Sequence, residues 1–399
     1  MAVAPAIPPR GLPEPPPEAR AHAGRVAARI AAEIEAAGGA ISFERYMELA
    51  LYAPGLGYYV AGARKLGPAG DYVTAPELGG LFARCLAVQC AEILERCGGD
   101  TVVELGAGSG ALAAGLLAAL EAAGAAPRRY AIVEVSPELR ERQQATLAAR
   151  AGGLAARVEW WERLPAPGSV RGVIVANELL DALPVHRFRI RGGRVRMLGV
   201  ARAGEGFGWV ELDPEPALER AVRAVEADLG RTLPDGYTSE LCLRLAPWVA
   251  TVTGLLGRGA ALFVDYGHPR AEYYHETRRD GTLMCHYRHR AHGEPLVLAG
   301  LQDITAHVDF TAVAEAGAAA GAGLLGYTTQ AWFLMGCGLE RHAQALATAP
   351  ERERWRLAQE VRTLTLPTEM GERFKAIALG RGIEGPLAGF ALRDERHRL

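Results

Sequence analysis

The sequence predicts an α/β fold, a Rossmann-like and mostly parallel sheet with an N-terminal helical region and an inserted α+β subdomain. One observation is a buried strand, 101–105, that runs into a glycine-rich turn and a helix of small residues at 111–117. Another is that apolar strand segments recur at 130–135, 173–176 and 260–265, separated by helical patterns. Strands that alternate with helices favour parallel pairing, because each helix carries the chain back across the sheet.

Length and composition exclude several classes of protein. The 399 residues are 49% hydrophobic and 23% charged, with a net charge of −2, which suits one large domain with additions or two domains. The near-neutral charge argues against a general nucleic-acid binder, which would usually show a basic face. No apolar run approaches the ~20 residues that span a bilayer, and no secretory signal is evident. Six cysteines without C-x-x-C spacing predict free thiols, so we expect a cytoplasmic protein.

The glycine turn after the first strand points to one kind of ligand. Its glycines, Gly106, Gly108 and Gly110, permit close approach and positive φ. Ala111 stands where the dinucleotide fingerprint has its third glycine. Glu104, two residues before the turn, would repel a pyrophosphate but suits a ligand with an ammonium group. The turn resembles motif I of class I S-adenosylmethionine (SAM)-dependent methyltransferases, and the alternative is an ordinary strand–helix turn.

A second acid, Glu134, ends the next apolar strand. In nucleotide-binding α/β units, an acid at this place accepts hydrogen bonds from ribose hydroxyls. Its separation from Glu104 along the chain fits one intervening helix. Trp160 and Trp161, on a predicted third strand, can each either stack on an adenine or pack in the core.

Three polar residues, Asn177, Glu178 and Asp181, follow the strand at 173–176. Polar groups at the carboxyl end of a central parallel strand lie over the ligand crevice. The spacing of Glu178 and Asp181 predicts that they share one face of a helical turn. Two carboxylates near a cationic methyl donor could hold a guanidinium group. The alternative is that either carboxylate only caps the following helix.

The chain is expected to divide into five segments. They are a disordered proline-rich tail (1–20), a helical region that caps the site (21–99), a SAM-binding Rossmann-like core (100–187), an inserted substrate-side subdomain (188–257), and the rest of the core sheet with a substrate loop at 266–305 (258–399). The insertion begins with a hairpin at Gly192–Gly193, and 370–379 is expected to form the last edge strand.

The loop at 266–305 is rich in histidine, yet its spacings match no known zinc pattern. We therefore expect no metal site and substrate-facing polar side chains in this loop.

Several blocks, in one order, make the sequence similar to the MidA-type methyltransferase family. They are YMELALY at 46–52, GYY at 57–59, GDYVTAPE at 70–77, VELGAGSG at 103–110, NELLDALPV at 177–185, DYGH at 265–268, DITAHVDF at 303–310 and MGERF at 370–374. The resemblance implies a class I methyltransferase sheet with one antiparallel strand near an edge. It also implies SAM as the cofactor.

The same resemblance implies roles for individual residues. The cofactor-binding set is Glu104, Gly106, Gly108, Gly110, Glu134 and Asn177, together with Asp71, Thr74 and Glu77, which would close the site from the N-terminal side. Glu178 would face the methyl acceptor, with Asp181 as a second catalytic candidate.

Mitochondrial members of this family are protein-arginine methyltransferases that act as assembly factors for respiratory complex I. The resemblance therefore implies methylation of an arginine in a protein substrate, with a complex I subunit as one candidate. Two other functions stay open, a small-molecule O- or N-methyltransferase and a non-catalytic assembly factor that keeps a SAM-binding fold. A homodimer is one candidate assembly.

Overall fold

The computed structural model describes residues 3–61, 74–346 and 350–399. Its strands, in chain order, are β1 (Ala40–Ser42), β2 (Thr101–Leu105), β3 (Arg129–Val133), β4 (Val158–Trp161), β5 (Val170–Asn177), β6 (His186–Arg191), β7 (Arg194–Ala203), β8 (Gly206–Leu212), β9 (Thr238–Leu241), β10 (Leu256–His268), β11 (Met284–Tyr287), β12 (Arg290–His292), β13 (Asp303–Thr305), β14 (Val308–Asp309), β15 (Gly323–Thr329) and β16 (Phe374–Arg381).

The helices are α1 (Pro17–Ala36), α2 (Phe43–Tyr52), α3 (Ala75–Leu78), α4 (Leu81–Cys97), α5 (Ala111–Ala122), α6 (Pro137–Arg150), α7 (Pro216–Asp228), α8 (Leu245–Gly254), α9 (Arg270–Tyr273), α10 (Phe310–Ala319), α11 (Gln330–Gly336), α12 (Leu339–Leu346) and α13 (Glu351–Thr365). Several begin at sequence signals for helix capping. Ser136 caps α6 by accepting a hydrogen bond from the Leu139 N–H, and Pro137 occupies its first position.

The chain forms two compact units. The small-sheet unit consists of Met1–Tyr72, Asp181–Arg244 and Arg270–His307, and the large-sheet unit consists of Val73–Leu180, Leu245–Pro269 and Val308–Leu399. Each unit is assembled from chain segments that are distant in the sequence. The expected segment bounds differ from this division, because 21–99 is split between the units and Arg270–His307 joins the insertion.

The large-sheet unit confirms the predicted α/β class. Its strands lie in the order β15-β16-β10-β5-β2-β3-β4, and β14 pairs with β10. Strands β4, β3, β2, β5 and β10 pair in parallel, whereas β16 is antiparallel to both of its neighbours. Every residue of β2 is buried, as expected for a parallel strand covered on both faces. Helices α4 and α5 contribute apolar side chains to the same core.

The prediction that 370–379 forms the edge strand is wrong. β16 lies between β10 and β15, so β15 is the edge. Its interior position agrees with its burial, since the stretch from Lys375 to Gly380 is buried without alternation. An unbroken apolar run such as 376–379 is typical of an interior strand.

The small-sheet unit contains the predicted hairpin. β6 and β7 are antiparallel and join at Gly192 and Gly193, whose φ angles are 55° and 72°, as a two-residue hairpin turn requires. The sheet order is β1-β7-β6-β9 with β8 on β7, and β12-β11-β13 forms a separate small sheet. Apolar side chains of α7 pack with those of β6 and β7 in one cluster of buried residues.

The expectation of a disordered tail over 1–20 is contradicted at two places. α1 begins at Pro17, where proline suits the first helical turn. Nearer the terminus, the Ala6 N–H donates a hydrogen bond to the carbonyl of Phe207 on β8. Proline content alone revealed neither the start of α1 nor this hydrogen bond.

Among the described residues, no helix combines the length and the apolar character that crossing a bilayer requires.

Candidate cofactor and catalytic site

The crossover from β2 to its two neighbours defines a crevice in the large-sheet unit. β2 pairs with β3 on one side and with β5 on the other, so the chain reverses direction across the sheet at this point. In open α/β sheets, ligands bind at the carboxyl ends of the strands beside such a reversal. The predicted turn 106–110 follows β2, and Glu178 follows β5, so both flank this crevice.

The glycine turn has the backbone that its sequence predicts. Gly106, Gly108 and Gly110 have φ angles of 71°, 52° and 81°, all in the left-handed region that glycine favours. A Cβ at Gly106 would stand 2.6 Å from Leu179 Cδ1, and one at Gly110 would stand 3.1 Å from Gln143 Cα. Side chains at these positions would therefore fill space beside the crevice and strain the backbone.

Helix α3 contacts both halves of the crevice. Ser109 in the glycine turn donates its hydroxyl hydrogen to the Glu77 carboxylate. At the start of α3, the Ala75 N–H donates to Glu178 Oε1 at 3.3 Å. Thr74, the residue before α3, makes no side-chain capping bond to this helix. Asp71, the third residue predicted on this side, lies outside the described residues.

Glu104, the fourth residue of β2, is almost completely buried beside the glycine turn. Its side chain is only 2% exposed, and Oε2 accepts a hydrogen bond from the Tyr130 hydroxyl at 2.5 Å. Burial raises the pKa of the Glu104 carboxyl to about 7, while the Tyr130 hydrogen bond lowers it. The bond from Tyr130 uses Oε2, which leaves Oε1 as the oxygen that a ligand could contact.

Glu134 follows β3 and is held by two donors. Its Oε1 accepts from the Ser136 N–H at 2.8 Å, and its Oε2 accepts from Gln143 Nε2 at 3.0 Å. Gln143 Nε2 also donates to the carbonyl of Gly108 at 3.2 Å. One buried amide thus joins the acid after β3 to the glycine turn after β2.

For Trp160 the structure supports the core alternative. Its indole N–H donates to Gln143 Oε1 at 2.9 Å, and its ring packs against the apolar core. Trp161 donates instead to Glu159 Oε1 at 2.8 Å. Val135, which follows Glu134 in the chain, is an apolar side chain that is 72% exposed.

The segment after β5 is built around an unusual backbone. Glu178 has a φ of 52°, which is uncommon for a residue other than glycine, and strained backbone of this kind clusters at functional sites. Glu178 Oε1 accepts a hydrogen bond from Asn177 Nδ2 at 3.0 Å. Asn177 Oδ1 is buried and accepts no hydrogen bond within the described ranges.

Asp265, near the end of β10, holds this segment in place. Its Oδ2 accepts from the N–H groups of Leu179 and Leu180 at 3.0 and 2.8 Å. Its Oδ1 accepts from the Tyr266 N–H at 2.9 Å. A buried carboxylate therefore satisfies the backbone directly after Glu178 and fixes the direction of that chain segment.

The predicted pairing of Glu178 and Asp181 on one helical face is wrong. The short 3₁₀ turn covers Leu180–Ala182, whereas the left-handed φ of Glu178 places that residue outside any helix. Asp181 begins a segment of the small-sheet unit, where its backbone carbonyl accepts from the Ala306 N–H at 3.0 Å. Its side chain is buried.

Sequence reasoning missed Gln143 and gave Asp265 no role. Asp265 had the same signal as Glu134, an acid at the end of a buried strand. The signal for Gln143 was fainter: it lies four residues from both Leu139 and Leu147, on the apolar stripe of α6.

In the described ranges, no group of three or more histidine, cysteine, aspartate or glutamate side chains could hold a metal ion.

The residues around this crevice fit a SAM-type ligand. Three left-handed glycines leave room for close approach, Glu134 is held in one orientation, and Val135 offers apolar surface beside it. A buried acid next to the turn complements an ammonium group.

Comparison with known proteins gives the same chemistry. Residues 85–328 match a family model of S-adenosyl-L-methionine-dependent methyltransferases. The protein arginine methyltransferase NDUFAF7 of Danio rerio, a mitochondrial protein, is 31% identical, with 85% of this chain and 83% of the relative covered. Its Homo sapiens counterpart is 28% identical, with 86% and 80% covered.

Two solved structures share the fold over the whole chain. A Burkholderia thailandensis protein bound to S-adenosyl-homocysteine is 46% identical, with a TM-score of 0.93, and the match covers 98% of this chain and 100% of that one. A native crystal structure of a protein from the same organism is 47% identical, with a TM-score of 0.90 and the same coverage.

Proposed function

We propose that this chain, which belongs to the family of S-adenosyl-L-methionine-dependent methyltransferases, methylates an arginine of a protein substrate. SAM is its cofactor. One observation carries the choice of acceptor: relatives that match most of the chain are named protein arginine methyltransferases. The family resemblance extends the proposal to a respiratory complex I subunit as the candidate substrate.

We propose one placement of the cofactor in the crevice. Gly106, Gly108 and Gly110 would hold its amino-acid end, with Glu104 Oε1 toward the ammonium group. Glu134 would accept hydrogen bonds from the ribose hydroxyls, and exposed Val135 would lie against the adenine. The remaining members of the proposed binding set are Asn177, Thr74, Glu77 and Asp71.

The sulfonium of SAM supplies an activated methyl group, so the protein must mainly align the acceptor and exclude water. An arginine side chain is protonated at neutral pH and must lose a proton as its nitrogen is methylated. Glu178 is the group that we propose to orient the guanidinium and to take up this proton. The two N–H donors on Oε1, from Asn177 and Ala75, would keep its carboxylate in one direction.

Asp181 is a weaker candidate for the second carboxylate. Only its place in the NELLDALPV block supports a catalytic role for Asp181, since it does not share a helical face with Glu178. The Asp181→Asn variant, assayed beside Glu178→Gln, tests whether both acids or Glu178 alone serve the transfer.

The proposal is tested with purified protein, methyl-labelled SAM and a cell extract. We expect label in a protein band, and acid hydrolysis of that band should release methylated arginine. Label in a small molecule would replace the proposal with a small-molecule methyltransferase. If S-adenosylhomocysteine binds but no label is transferred to any extract component, the non-catalytic assembly factor would be favoured.

A further inference from the structure

Gln143, on α6, is a fully buried amide next to the glycine turn. It has no exposed surface, although it lies on a helix whose other faces are mostly charged. Its amide contacts three separate elements: the carbonyl of Gly108 in the glycine turn, the carboxylate of Glu134 after β3, and the indole of Trp160 on β4.

The chemistry of these partners allows one orientation of the amide. The Trp160 indole N–H can only donate, so it must face the amide oxygen. The Gly108 carbonyl and the Glu134 carboxylate can only accept, so they must face the amide nitrogen. A reversed amide would oppose a donor to a donor and acceptors to an acceptor. All three contacts therefore specify the same arrangement.

We infer that Gln143 is a positioning residue of the cofactor site, which fixes the carboxylate of Glu134 against the ribose hydroxyls. The inference rests on the proposed role of Glu134 in binding SAM. Through the Gly108 carbonyl, the same amide ties that acid to the turn that would hold the other end of the ligand. A group held in its binding orientation before the ligand arrives loses less entropy on binding.

The test compares two neighbouring glutamines by calorimetric titration with S-adenosylhomocysteine. Gln143→Met keeps the volume but removes the hydrogen bonds, and Gln144→Met makes the same change at an exposed position. We expect about tenfold weaker binding for Gln143→Met, because a charge-assisted bond is lost, and unchanged binding for Gln144→Met. Equal affinity of Gln143→Met and the wild type would overturn the inference.

A second ligand separates a positioning role from a structural one. An S-adenosylhomocysteine analogue without the two ribose hydroxyls cannot use Glu134. We expect Gln143→Met to bind this analogue as well as the wild type does, so that the variant loses most of its preference for the hydroxylated ligand. Equal weakening of both ligands would mean that Gln143 only supports the fold.

Two further measurements keep these outcomes distinguishable. If the wild type does not bind S-adenosylhomocysteine, the proposed placement of the cofactor is wrong, whatever the affinities of the variants. If Gln143→Met does not fold, Trp160→Phe removes the donor that orients the amide while Gln143 stays in place. It should reduce the preference for the hydroxylated ligand, and an unchanged preference would contradict the inference.

Discussion

Tyr130 on β3 donates its hydroxyl hydrogen to Glu104 on the adjacent strand β2, with 2.5 Å between the two oxygens. Both residues are buried, so this bond forms inside the core beside the glycine turn. Burial raises the pKa of the Glu104 carboxyl from 4.5 to about 7, and the hydrogen bond only partly opposes this. The predicted ammonium partner is therefore an acid whose charge changes near neutral pH.

This raised pKa predicts a pH-dependent stability. Between pH 4.5 and 7 the folded protein holds a proton that the unfolded chain has released, so stability is lost as the pH rises through 7. Glu104→Gln has no such proton to lose. We expect the free energy of unfolding of the wild type, relative to Glu104→Gln, to fall by roughly 1–3 kcal/mol from pH 5 to pH 8 in urea titrations.

Tyr130→Phe serves as the control for this prediction. Because the hydroxyl lowers the pKa of Glu104, its removal should move the loss of stability to higher pH. The free energy of unfolding of the wild type, relative to Glu104→Gln, could instead stay constant over the same pH range. That result would mean that burial does not keep the acid protonated.

Glu178→Gln should bind the cofactor and fail in transfer. The amide keeps the shape of the side chain and can still accept the N–H of Ala75, but it cannot take up the arginine proton. We expect turnover to fall by about 100-fold or more, with S-adenosylhomocysteine affinity within about twofold of the wild type. Radiolabel transfer and calorimetry measure the two quantities.

The matched control is Glu141→Gln, which removes an exposed carboxylate from α6. It should leave both quantities unchanged. Normal turnover by Glu178→Gln would assign the proton to another group, and a joint loss of affinity and turnover would point to a structural role for Glu178.

The large sheet could be predicted because its signals are local. An apolar strand, a G-x-G-x-G turn and a helix of small residues lie side by side in the chain, and Glu134 ends the next strand. Three left-handed glycines then confirm the expected backbone of the turn. These features follow from backbone sterics and strand burial, which short stretches of sequence specify.

The unit bounds and the conformation of Glu178 could not be predicted, because they depend on contacts between distant segments of the chain. The small-sheet unit joins three stretches of chain, so bounds inferred from consecutive residues could not match it. Glu178 adopts a left-handed φ, which nothing in its own sequence demands, while Asp265 on β10 holds the N–H groups that follow it. The spacing argument for Glu178 and Asp181 therefore failed where a tertiary contact overrode the local pattern.

Asp265→Asn should weaken both the fold and the reaction. One oxygen of Asp265 serves Leu179 and Leu180, and the other serves the Tyr266 N–H, so an amide must lose an acceptor at one of these places. We expect a loss of about 1–3 kcal/mol in the free energy of unfolding and reduced turnover, because Glu178 precedes these residues directly.

Urea unfolding and labelled methyl transfer measure the two effects. Asp100→Asn, at an exposed position before β2, is the control and should change neither. If Asp265→Asn were as stable as the control, the buried carboxylate would not hold the segment after β5.

Gly106→Ala should impair cofactor binding more than its backbone strain explains. At a φ of 71°, a Cβ costs about 1–2 kcal/mol, and here it would also stand 2.6 Å from Leu179 Cδ1, beside Glu178.

Gly124 has nearly the same φ, 69°, but open space around it. Gly124→Ala therefore carries the strain without the crowding. We expect both variants to lose thermal stability, Gly106→Ala more than Gly124→Ala because of the crowding against Leu179, and at least tenfold weaker S-adenosylhomocysteine binding for Gly106→Ala alone. Unchanged affinity in Gly106→Ala would move the cofactor away from this turn.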